Sequence, residues 1–572
     1  MLTVKKHIGE CLYEKYTGLV STPTMSASDF ERFLEYPPDE TLGDLAFPCF
    51  KLSRELKMAP PAIAAKLCDG LGDNIIDRAV TAGGYINFYI SPAYLAGKLL
   101  PEIAEKGDKY GSFDFGKGKT VVLDYSSPNV AKPFHIGHLG TTVIGHSLKM
   151  LHSFAGYSCV GVNHLGDWGT QFGKMIVAYR KWGSREAVEK GGVDALVELY
   201  VKFHEEAENN PALNDEARAE FAKLEHHDEE NIKLWKWFID LSLVEYEKTY
   251  KQLGITFDSY NGESFYTDKM PAVVDELREK KLLEIDDGAS IVNLEKYNMP
   301  PCLILKKDGT TLYPARDIAA AIYRKKTYDF DKCIYVTSAG QSLHFAQWFK
   351  VVELMGYDWA KQLIHVPYGT VSLNGSKLAT RTGNVILLRD LFSEAIDKVK
   401  EIMDEKHTSL ENRDEVAEAV GVGAIVYYYL SNNRIKDINF VLEDALNFDG
   451  NTGPYAQYTY ARTCSIISKA GGVPEITPTG ADITDPSEAA LLKTLSLFPE
   501  KVLEAIDELE PSVIARYIYE VCTSFNRFYH ACQIVTAENQ RTRDFRVLLT
   551  DCTRTVLGSA FDLICMKKTE KI

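Results

Sequence analysis

The segment at residues 121–165 constrains the fold of this chain more than any other part of its sequence. It starts with a short apolar run, VVLDYS, continues through the turn-forming SSPNVAKPF, and then shows a helical pattern from about His135 to Ala155. A second strand-like run, SCVGVNHL, follows Gly156. Strand, loop, helix and strand within roughly 45 residues make a βαβ unit, which predicts a parallel sheet with a right-handed crossover.

A second set of alternating helices and strands follows a long helical interruption. Residues 184–252 are polar, acidic and helical in pattern, which predicts an α-helical insertion with solvated outer faces. From Asp317 to Lys325 the pattern is again helical, and strand, helix and strand patterns then lead to the loop NGSKLATRTGN. These two α/β halves predict one Rossmann-like domain with a doubly wound parallel sheet, interrupted by the insertion.

Length and the remaining patterns divide the chain into several domains. A chain of 572 residues is too long for one hydrophobic core. Helical and strand-like patterns are mixed up to a Gly-rich turn segment near residue 115, and mainly helical patterns follow the second α/β half. We therefore expect an N-terminal α+β domain, the α/β domain and a C-terminal all-α bundle, at residues 1–115, 116–435 and 436–572.

The composition is that of an ordinary globular protein. A formal net charge of -16 argues against nucleic-acid binding over the whole surface, but it leaves room for a local basic patch. The 11 cysteines show no CxxC spacing, so neither a zinc site nor a redox dithiol is predicted. No stretch has the apolar length of a membrane span or a secretion signal, and a cytoplasmic location is the default expectation.

The tetrapeptide HIGH places two histidines three residues apart at the predicted helix start. This spacing puts His135 and His138 on one face of the first turn, where free backbone N–H groups and the helix dipole favour phosphate. Gly137 lets a flat ring approach the backbone closely. The pattern fits an ATP site. Taken alone it also fits a metal pair or two ordinary surface histidines, although no Cys, Asp or Glu stands nearby at zinc spacing.

Longer motifs around and after HIGH resemble those of one enzyme family. HIGH after a strand is similar to the first signature of class I aminoacyl-tRNA synthetases, and its flanking residues are similar to the arginyl branch. The matching motifs, in family order, are SSPNVAKPFHIGHL, VNHLGDWGTQFG (162–173), YPARDIAAAIYR (313–324), GQSLHFAQ (340–347), KLATRTGNVILLRDL (377–391) and NTGPYAQYTYAR (451–462). The sequence is therefore identified as a member of the arginyl branch of class I.

The resemblance implies an enzyme that activates L-arginine with ATP and transfers it to the 2′-OH of the terminal adenosine of tRNA(Arg), releasing AMP and pyrophosphate. Mg²⁺ would arrive with ATP, no protein-bound metal is expected, and the enzyme would be a cytoplasmic monomer without membrane contact. Such phosphoryl chemistry depends on positioning and charge neutralisation, so no side-chain nucleophile is needed. Two alternatives stay open: another class I synthetase, of the cysteinyl or glutamyl type, and a non-catalytic tRNA-binding relative.

The resemblance assigns part of the ATP chemistry to the HIGH segment. His135 and His138 would bind phosphate oxygens and stabilise the transition state, with Gly137 beside the nucleotide. Lys132, three residues before the first histidine, would reach the phosphates. Gly140 departs from the family, which commonly has arginine at this position.

A second ATP-binding segment is KLATR at residues 377–381, which is similar to the class I KMSKS loop but departs from it. Lys377 keeps the first lysine, whereas Thr380 stands where the second lysine usually lies. Lys132, Arg381 or Lys377 alone would supply the missing charge, and the sequence leaves this choice open.

Recognition of arginine requires acceptors for five guanidinium donors. By resemblance, Asp317 would hold the guanidinium, and Tyr313 would lie on the same helical side because the two residues are four apart. A surface salt bridge or a helix N-cap is the structural alternative for Asp317. The other predicted arginine contacts are Asp124, Ser126, Asn129, Gln341 and Glu263.

The helical region from about residue 440 resembles an anticodon-binding domain, and the N-terminal domain resembles one that touches the tRNA elbow. Unstacked bases bind to aromatic faces and to Arg or Lys side chains. Most aromatic residues of a helical domain belong to its core, so each contact has a structural alternative. The predicted tRNA contacts are Asn87, Tyr455, Tyr458, Phe525 and Arg527.

Overall fold

The computed structural model describes residues 1–373, the backbone of residues 376–377, and residues 386–405 and 410–572. Two residues predicted to bear on the ATP chemistry, Thr380 and Arg381, lie outside this part, and only the backbone of Lys377 belongs to it. No helix of the described part is long and apolar enough to cross a membrane.

The N-terminal region packs helices against a small antiparallel sheet of order β1-β3-β2. Gly83 joins β2 to β3 with φ 60°, a conformation that glycine adopts without a steric penalty. Phe30 and Phe47 stack with ring centroids 5.3 Å apart and join a helix to the sheet. The strands are β1 (Leu45–Pro48), β2 (Ile76–Ala82) and β3 (Tyr85–Ile90). The helices are α1 (Leu2–Thr17), α2 (Ala27–Phe33), α3 (Ser53–Leu56), α4 (Pro60–Cys68) and α5 (Pro92–Lys106).

A four-stranded parallel sheet of order β10-β9-β4-β5 forms the centre of the molecule. Its strands are β4 (Thr120–Asp124), β5 (Ser158–Val162), β9 (Lys332–Ser338) and β10 (Leu363–Tyr368). The chain continues from β4 to β5 on one side of it, and it returns later to place β9 on the other side of β4. This creates a switch point at the carboxyl ends of β4 and β9, where α/β folds bind ligands. The predicted α/β class with a parallel sheet is confirmed.

The helices that flank this sheet start close to their predicted positions. A 3₁₀ turn at Ile136–His138 precedes α6, and His135 is its N-cap. α12 begins four residues earlier than predicted because Tyr313 and Pro314 form its first turn, a position that proline favours. Asp317 therefore lies in the second turn, and the N-cap alternative is wrong. These helices are α6 (Leu139–Phe154), α7 (Thr170–Trp182), α12 (Tyr313–Tyr328) and α13 (Ser342–Leu354).

Helices interrupt the α/β pattern where the sequence predicts an insertion. Gly192, with φ 57°, bends α8 near its start. A small antiparallel sheet, in the order β6-β7-β8, then leads back to α12. The inserted helices are α8 (Arg185–Asn209), α9 (Ala212–Glu225) and α10 (Glu229–Leu253), followed by α11 (Met270–Glu279), β6 (Glu284–Asp286), β7 (Ala289–Val292) and β8 (Cys302–Leu305).

The last strand pattern before the loop NGSKLATRTGN is the run LIHVPYGTVSL, and it forms two strands in different sheets instead of one. The chain turns at Gly369, where a Cβ would lie 2.3 Å from the carbonyl oxygen of Lys436, and no side chain fits there. β10 then stays in the main sheet, while β11 (Val371–Leu373) pairs with β12 (Ser376–Lys377) and with β13 (Ile438–Phe440).

Helices dominate the C-terminal region and pack against both other regions. Ser147 Oγ on α6 donates to the carbonyl oxygen of Leu563 over 2.6 Å. The amino group of Met1 lies 2.6 Å from the carbonyl oxygen of Ser496. The helices are α14 (Leu388–Glu405), α15 (Arg413–Leu430), α16 (Leu442–Ala445), α17 (Gly453–Ala470), α18 (Pro486–Ser496), α19 (Phe498–Asp507), α20 (Ser512–Ala531) and α21 (Gln540–Leu563).

Candidate active site

A cavity of about 520 Å³ opens at the carboxyl ends of β4 and β9. Its wall contains every side chain predicted to hold arginine, together with His138. Asp124 ends β4, Ser126 and Asn129 follow that strand, and Gln341 follows β9. Glu263 comes from the segment before α11. The parallel sheet thus collects at one edge residues that are far apart along the chain.

The HIGH histidines form a neutral pair with a defined tautomer. Their ring centroids are 3.9 Å apart. His135 Nδ1 accepts the backbone N–H of Gly137 over 3.1 Å, and His138 Nδ1 accepts that of His135 over 3.2 Å. Because both Nδ1 atoms accept, the proton of each neutral ring is on Nε2. Burial, aided by neighbouring positive charge, lowers the pKa of His138 to about 3 and also lowers the pKa of His135.

Glycine is required at two positions of this segment. A Cβ on Gly137 would lie 2.8 Å from the Cε1 atom of the His135 ring. A Cβ on Gly140 would lie 2.1 Å from the hydroxyl oxygen of Tyr429 and 3.2 Å from the ring of Tyr368. Those tyrosines occupy the space that a side chain at position 140 would need. The tyrosines around position 140 therefore explain why glycine stands where the family commonly has arginine.

The loop from β4 to HIGH has a strained backbone. Ser126, Ser127 and Ala131 have φ angles of 72°, 49° and 59°, in the left-handed region that disfavours residues with a Cβ. The hydroxyl oxygens of Ser126 and Tyr250 are 2.7 Å apart, and the Ser127 N–H donates to Asn163 Oδ1 over 3.1 Å. Surrounding side chains therefore hold this backbone in place.

Helix α10 of the insertion also contacts this loop. The Tyr246 hydroxyl lies 2.7 Å from the carbonyl oxygens of both Asn129 and Lys132, and the Ala131 N–H donates to Ser242 Oγ over 3.0 Å. Burial lowers the pKa of both HIGH histidines, and the positive charge of Lys132 contributes to this lowering. Sequence reasoning missed Ser242 and Tyr246, although their four-residue spacing on one helix was a signal.

The segment that follows the second signature loop is joined to HIGH through the backbone. Residues His135 and Leu387 form an antiparallel bridge. The Ile136 N–H donates to the carbonyl oxygen of Ile386 over 3.2 Å, and the Leu388 N–H donates to that of Phe134 over 2.9 Å. The segment that begins five residues after KLATR therefore pairs with HIGH.

Each acid of the predicted arginine site has a partner within the protein. Asp124 Oδ2 lies 2.7 Å from a guanidinium nitrogen of Arg324, which is only 1% exposed. Asp317 Oδ2 lies 2.6 Å from His344 Nε2. Sequence reasoning did not single out these partners, although both belong to the quoted motifs YPARDIAAAIYR and GQSLHFAQ.

The third acid, Glu263, pairs with Arg316. Burial raises the pKa of Glu263 to about 7, although the positive charge of Arg316 opposes that rise. The Arg316 guanidinium also lies 5.1 Å from the ring centroid of Tyr313, which is 63% exposed at the rim of the cavity. A ligand with a guanidinium group would have to compete with these internal partners or share their acids.

The residues predicted to contact tRNA fall into two groups. Phe525 is fully buried in the helical core, so its ring is not available for stacking in this structure, and nothing here supports a base contact at this position. Asn87 is only 7% exposed because it lies in the middle strand of its sheet, so it too is a poor base contact. Tyr458 and Arg527 are exposed, and Tyr455 is partly buried with its hydroxyl bound to an amide.

An exposed stack lies beside Tyr458. The Arg462 guanidinium is 4.9 Å from the ring centroid of Tyr458 and 4.8 Å from that of Tyr529. Sequence reasoning missed Arg462 as a candidate. By contrast, arginines of α21 are engaged by internal acids: Arg541 pairs with Asp482, and Arg546 with the buried Glu488.

Three possible metal ligands converge outside this cavity, in the N-terminal region: His7, Cys11 and Asp73. His7 and Cys11 are four residues apart on α1, and Asp73 Oδ2 lies 2.6 Å from His7 Nε2. Because Cys11 Sγ faces the same nitrogen at 3.6 Å, an ordinary hydrogen-bonded pair accounts for the cluster without an ion. The expectation that the protein itself binds no metal stays a prediction.

Family models match almost the whole chain. The model described as "tRNA synthetases class I (R), catalytic domain" matches residues 100–442. The "DALR anticodon binding domain" matches residues 456–572, and the "Arginyl tRNA synthetase N terminal domain" matches residues 3–90.

Individual proteins agree with the family models. The chain is 48% identical to an arginine–tRNA ligase of Alkaliphilus metalliredigens, over 100% of both chains. It is 48% identical to one of Clostridium perfringens, over 96% of this chain and 97% of the other. The solved arginyl-tRNA synthetase of Thermus thermophilus superposes with a TM-score of 0.82 over 99% of this chain and 100% of the other, at 24% identity, which supports the fold alone. The resemblance read from the motifs is confirmed.

Proposed function

This chain belongs to the arginyl family of class I tRNA synthetases, and on that premise we propose that it activates L-arginine with ATP and attaches it to tRNA(Arg). AMP and pyrophosphate are the other products. The observation that carries this proposal is the position of the neutral HIGH pair at the edge of an acidic cavity suited to a guanidinium ligand.

The first step is attack of the arginine carboxylate on the α-phosphorus of ATP, with pyrophosphate as the leaving group. Negative charge on the phosphate oxygens accumulates beside the helix start, where His135 and His138 present Nε2–H donors. Because both imidazoles are neutral, burying them in the site does not require the desolvation of a charge. In this proposal, Lys132 supplies the positive charge near the phosphates. Mg²⁺ reaches the site as part of the substrate Mg·ATP. We infer that Lys377 also acts on the phosphates.

The second step is attack of the terminal 2′-OH of tRNA on the carbonyl carbon of the adenylate, which releases AMP. The chain needs no covalent intermediate of its own for either step. Its contribution is to hold the reacting groups in line and to exclude competing geometries.

Arginine specificity belongs, in this proposal, to the acids of the cavity. Asp317 accepts the guanidinium with Tyr313 beside it, and Asp124, Ser126, Asn129, Gln341 and Glu263 complete the contacts. Since Asp317 already binds His344, arginine has to displace that imidazole or share the carboxylate with it. A ligand with one donor instead of a planar fork would compete less well.

The helical C-terminal region would bind the anticodon, and the exposed stack of Tyr458, Arg462 and Tyr529 suits an unstacked base. Tyr455 and Arg527 remain candidates next to it. A monomeric state and a cytoplasmic location remain predictions, which analytical ultracentrifugation and cell fractionation test.

Aminoacylation with purified components tests the function. The protein is expected to charge tRNA(Arg) with arginine, and not with cysteine or glutamate, in the presence of Mg·ATP. ATP–pyrophosphate exchange is expected to require tRNA, as the family resemblance implies. Binding of tRNA without any charging at saturating substrates would favour a non-catalytic relative, and charging with another amino acid would favour another class I synthetase.

A further inference from the structure

One face of α10 supports the loop that leads into HIGH. Ser242, Tyr246 and Tyr250 stand at every fourth residue and are all buried. Their hydroxyl groups bind the backbone or side chains of residues 126–132, as described above. None of these contacts is made by the main sheet. The geometry of the first ATP-binding segment therefore depends on a helix of the insertion.

The same helix binds the start of α14, directly after the second signature loop. Arg389 Nη1 lies 3.2 Å from Glu245 Oε1 on α10, and Arg389 Nη2 lies 2.7 Å from Asp194 Oδ2 on α8. Asp194 follows the bend of α8 at Gly192. These two carboxylates raise the pKa of Arg389 above its usual range. Arg389 follows the segment that pairs with HIGH, and its guanidinium thus binds one acid on each of two inserted helices, α8 and α10.

Together, these contacts link HIGH, the start of α14 and α10 to one another. The backbone of residues 386–388 pairs with that of residues 134–136, Arg389 joins this pair to α10, and α10 holds residues 126–132. A shift of α10 would therefore move residues 126–132 and the start of α14 together. A break at Arg389 would leave residues 386–388 paired with residues 134–136 through the two backbone hydrogen bonds of that bridge.

We propose that Arg389, with Asp194 and Glu245, is a positioning residue for the activation step. It is not among the residues that line the cavity, and it sets the start of α14 relative to HIGH through α10. This inference rests on the proposed function. The guanidinium reaches the two carboxylates with donors on two separate nitrogens. The single ammonium group of a lysine does not reproduce this geometry.

The stability contribution of this cluster is small, because the Arg389 and Asp194 side chains are 38% and 48% exposed and exposed ion pairs contribute little. A change in catalysis without a change in stability is therefore the signature of positioning. If the cluster were only structural, its loss would lower the unfolding temperature and leave the kinetics of the folded enzyme unchanged.

The test compares Arg389→Gln and Arg389→Lys with the wild type in ATP–pyrophosphate exchange at saturating tRNA(Arg). We expect Arg389→Gln to reduce kcat/KM for ATP by roughly tenfold or more, with the KM for arginine within about twofold of wild type. Arg389→Lys should recover only part of the loss. Lys398→Gln on the same helix is the matched control, since Lys398 pairs with Glu394 and Glu443 away from HIGH and should behave as wild type.

Two further variants keep the test decisive if Arg389→Gln is unstable. Asp194→Asn and Glu245→Gln retain shape, and each should weaken the ATP kinetics in the same direction. Combined with Arg389→Gln, either should add less than its separate effect. Unchanged ATP kinetics in all of these variants, or equal changes in the KM for ATP and for arginine, would overturn the inference. A wild type that does not charge arginine would instead overturn the proposed function.

Discussion

The central cavity and the C-terminal helical surface hold their charged side chains in opposite ways. In the cavity, Asp124 and Asp317 are bound to buried or partly buried internal partners, Arg324 and His344, before any ligand arrives. On the C-terminal helices, the partly buried guanidinium of Arg462 lies between the exposed rings of Tyr458 and Tyr529 and donates to the neutral amide of Asn526. A small cationic ligand must fit an arrangement that already exists, whereas a flexible base needs only an accessible flat surface. Removal of one side chain should therefore change the kinetic constants more in the cavity than on the C-terminal surface.

The largest effect is expected in the cavity, at HIGH. His138→Ala removes one Nε2–H donor beside the developing phosphate charge, and a loss of about 100-fold or more in kcat for activation follows from the loss of such a donor. ATP–pyrophosphate exchange measures it. His226→Ala, in an exposed turn of the insertion, is the matched control. A His138→Ala enzyme with wild-type kcat would remove HIGH from the chemistry.

The next largest effect concerns arginine itself. Asp317→Asn removes the charge that a guanidinium requires, so the KM for arginine should rise by about 10- to 100-fold while the KM for ATP changes little. Asp329→Asn at the end of the same helix, where the carboxylate is exposed, should leave both constants unchanged. An equal rise in both KM values would mean that Asp317 supports the fold of the cavity and not arginine.

A smaller effect is expected on the C-terminal surface. Tyr529→Ala and Arg462→Ala should each raise the KM for tRNA by about five- to tenfold, because one stacking contact contributes modestly. Phe525→Leu provides the contrast: it should lower the unfolding temperature through core packing and leave the KM for tRNA unchanged. If Phe525→Leu changed the KM for tRNA more than Tyr529→Ala, the assignment of the two groups would be reversed.

The smallest effect concerns stability and pH. Burial lowers the pKa of His146 to about 4, against a usual value of about 6.5. The unfolded chain therefore binds a proton that the folded chain does not, and stability falls as the pH drops from about 6.5 toward 4. Between pH 7 and pH 5.5 this histidine should cost about 1 kcal/mol. His146→Gln should show a shallower fall of unfolding temperature across this range, and an unchanged pH dependence would contradict the burial effect.

Local patterns predicted which residues come together where the sheet determines their position. VVLDYS and SCVGVNHL are strands, HIGH follows the first of them, and a parallel sheet must bring the residues after its strands to one edge. The motif residues therefore line one cavity. Local patterns did not predict that Arg324 and His344 pair with the acids, because these contacts depend on how α12 and α13 pack across the sheet. The same holds for Tyr246, whose helix belongs to an insertion that looked merely polar.

Composition was a poor guide on the C-terminal helices. TSFNRFYH contains alternating aromatic and basic residues, and the sequence did not decide which of them face solvent. Phe525 and Tyr529 are one helical turn apart on α20, yet the first is fully buried and the second is 38% exposed. Packing of α20 against its neighbouring helices makes that difference, and a residue near the edge of an amphipathic face can lie on either side of it.

By itself, the sequence determined that this chain is a class I synthetase of the arginyl branch, with HIGH at the start of a helix and the predicted arginine contacts after the ends of strands. Those properties follow from local order along the chain and from motifs that are contiguous. Only the tertiary structure decided which cation pairs with each acid, which aromatic rings face solvent, and that Arg389 joins the start of α14 to α10. These contacts connect residues up to hundreds of positions apart, and they exist only when helices from different parts of the chain pack on one sheet.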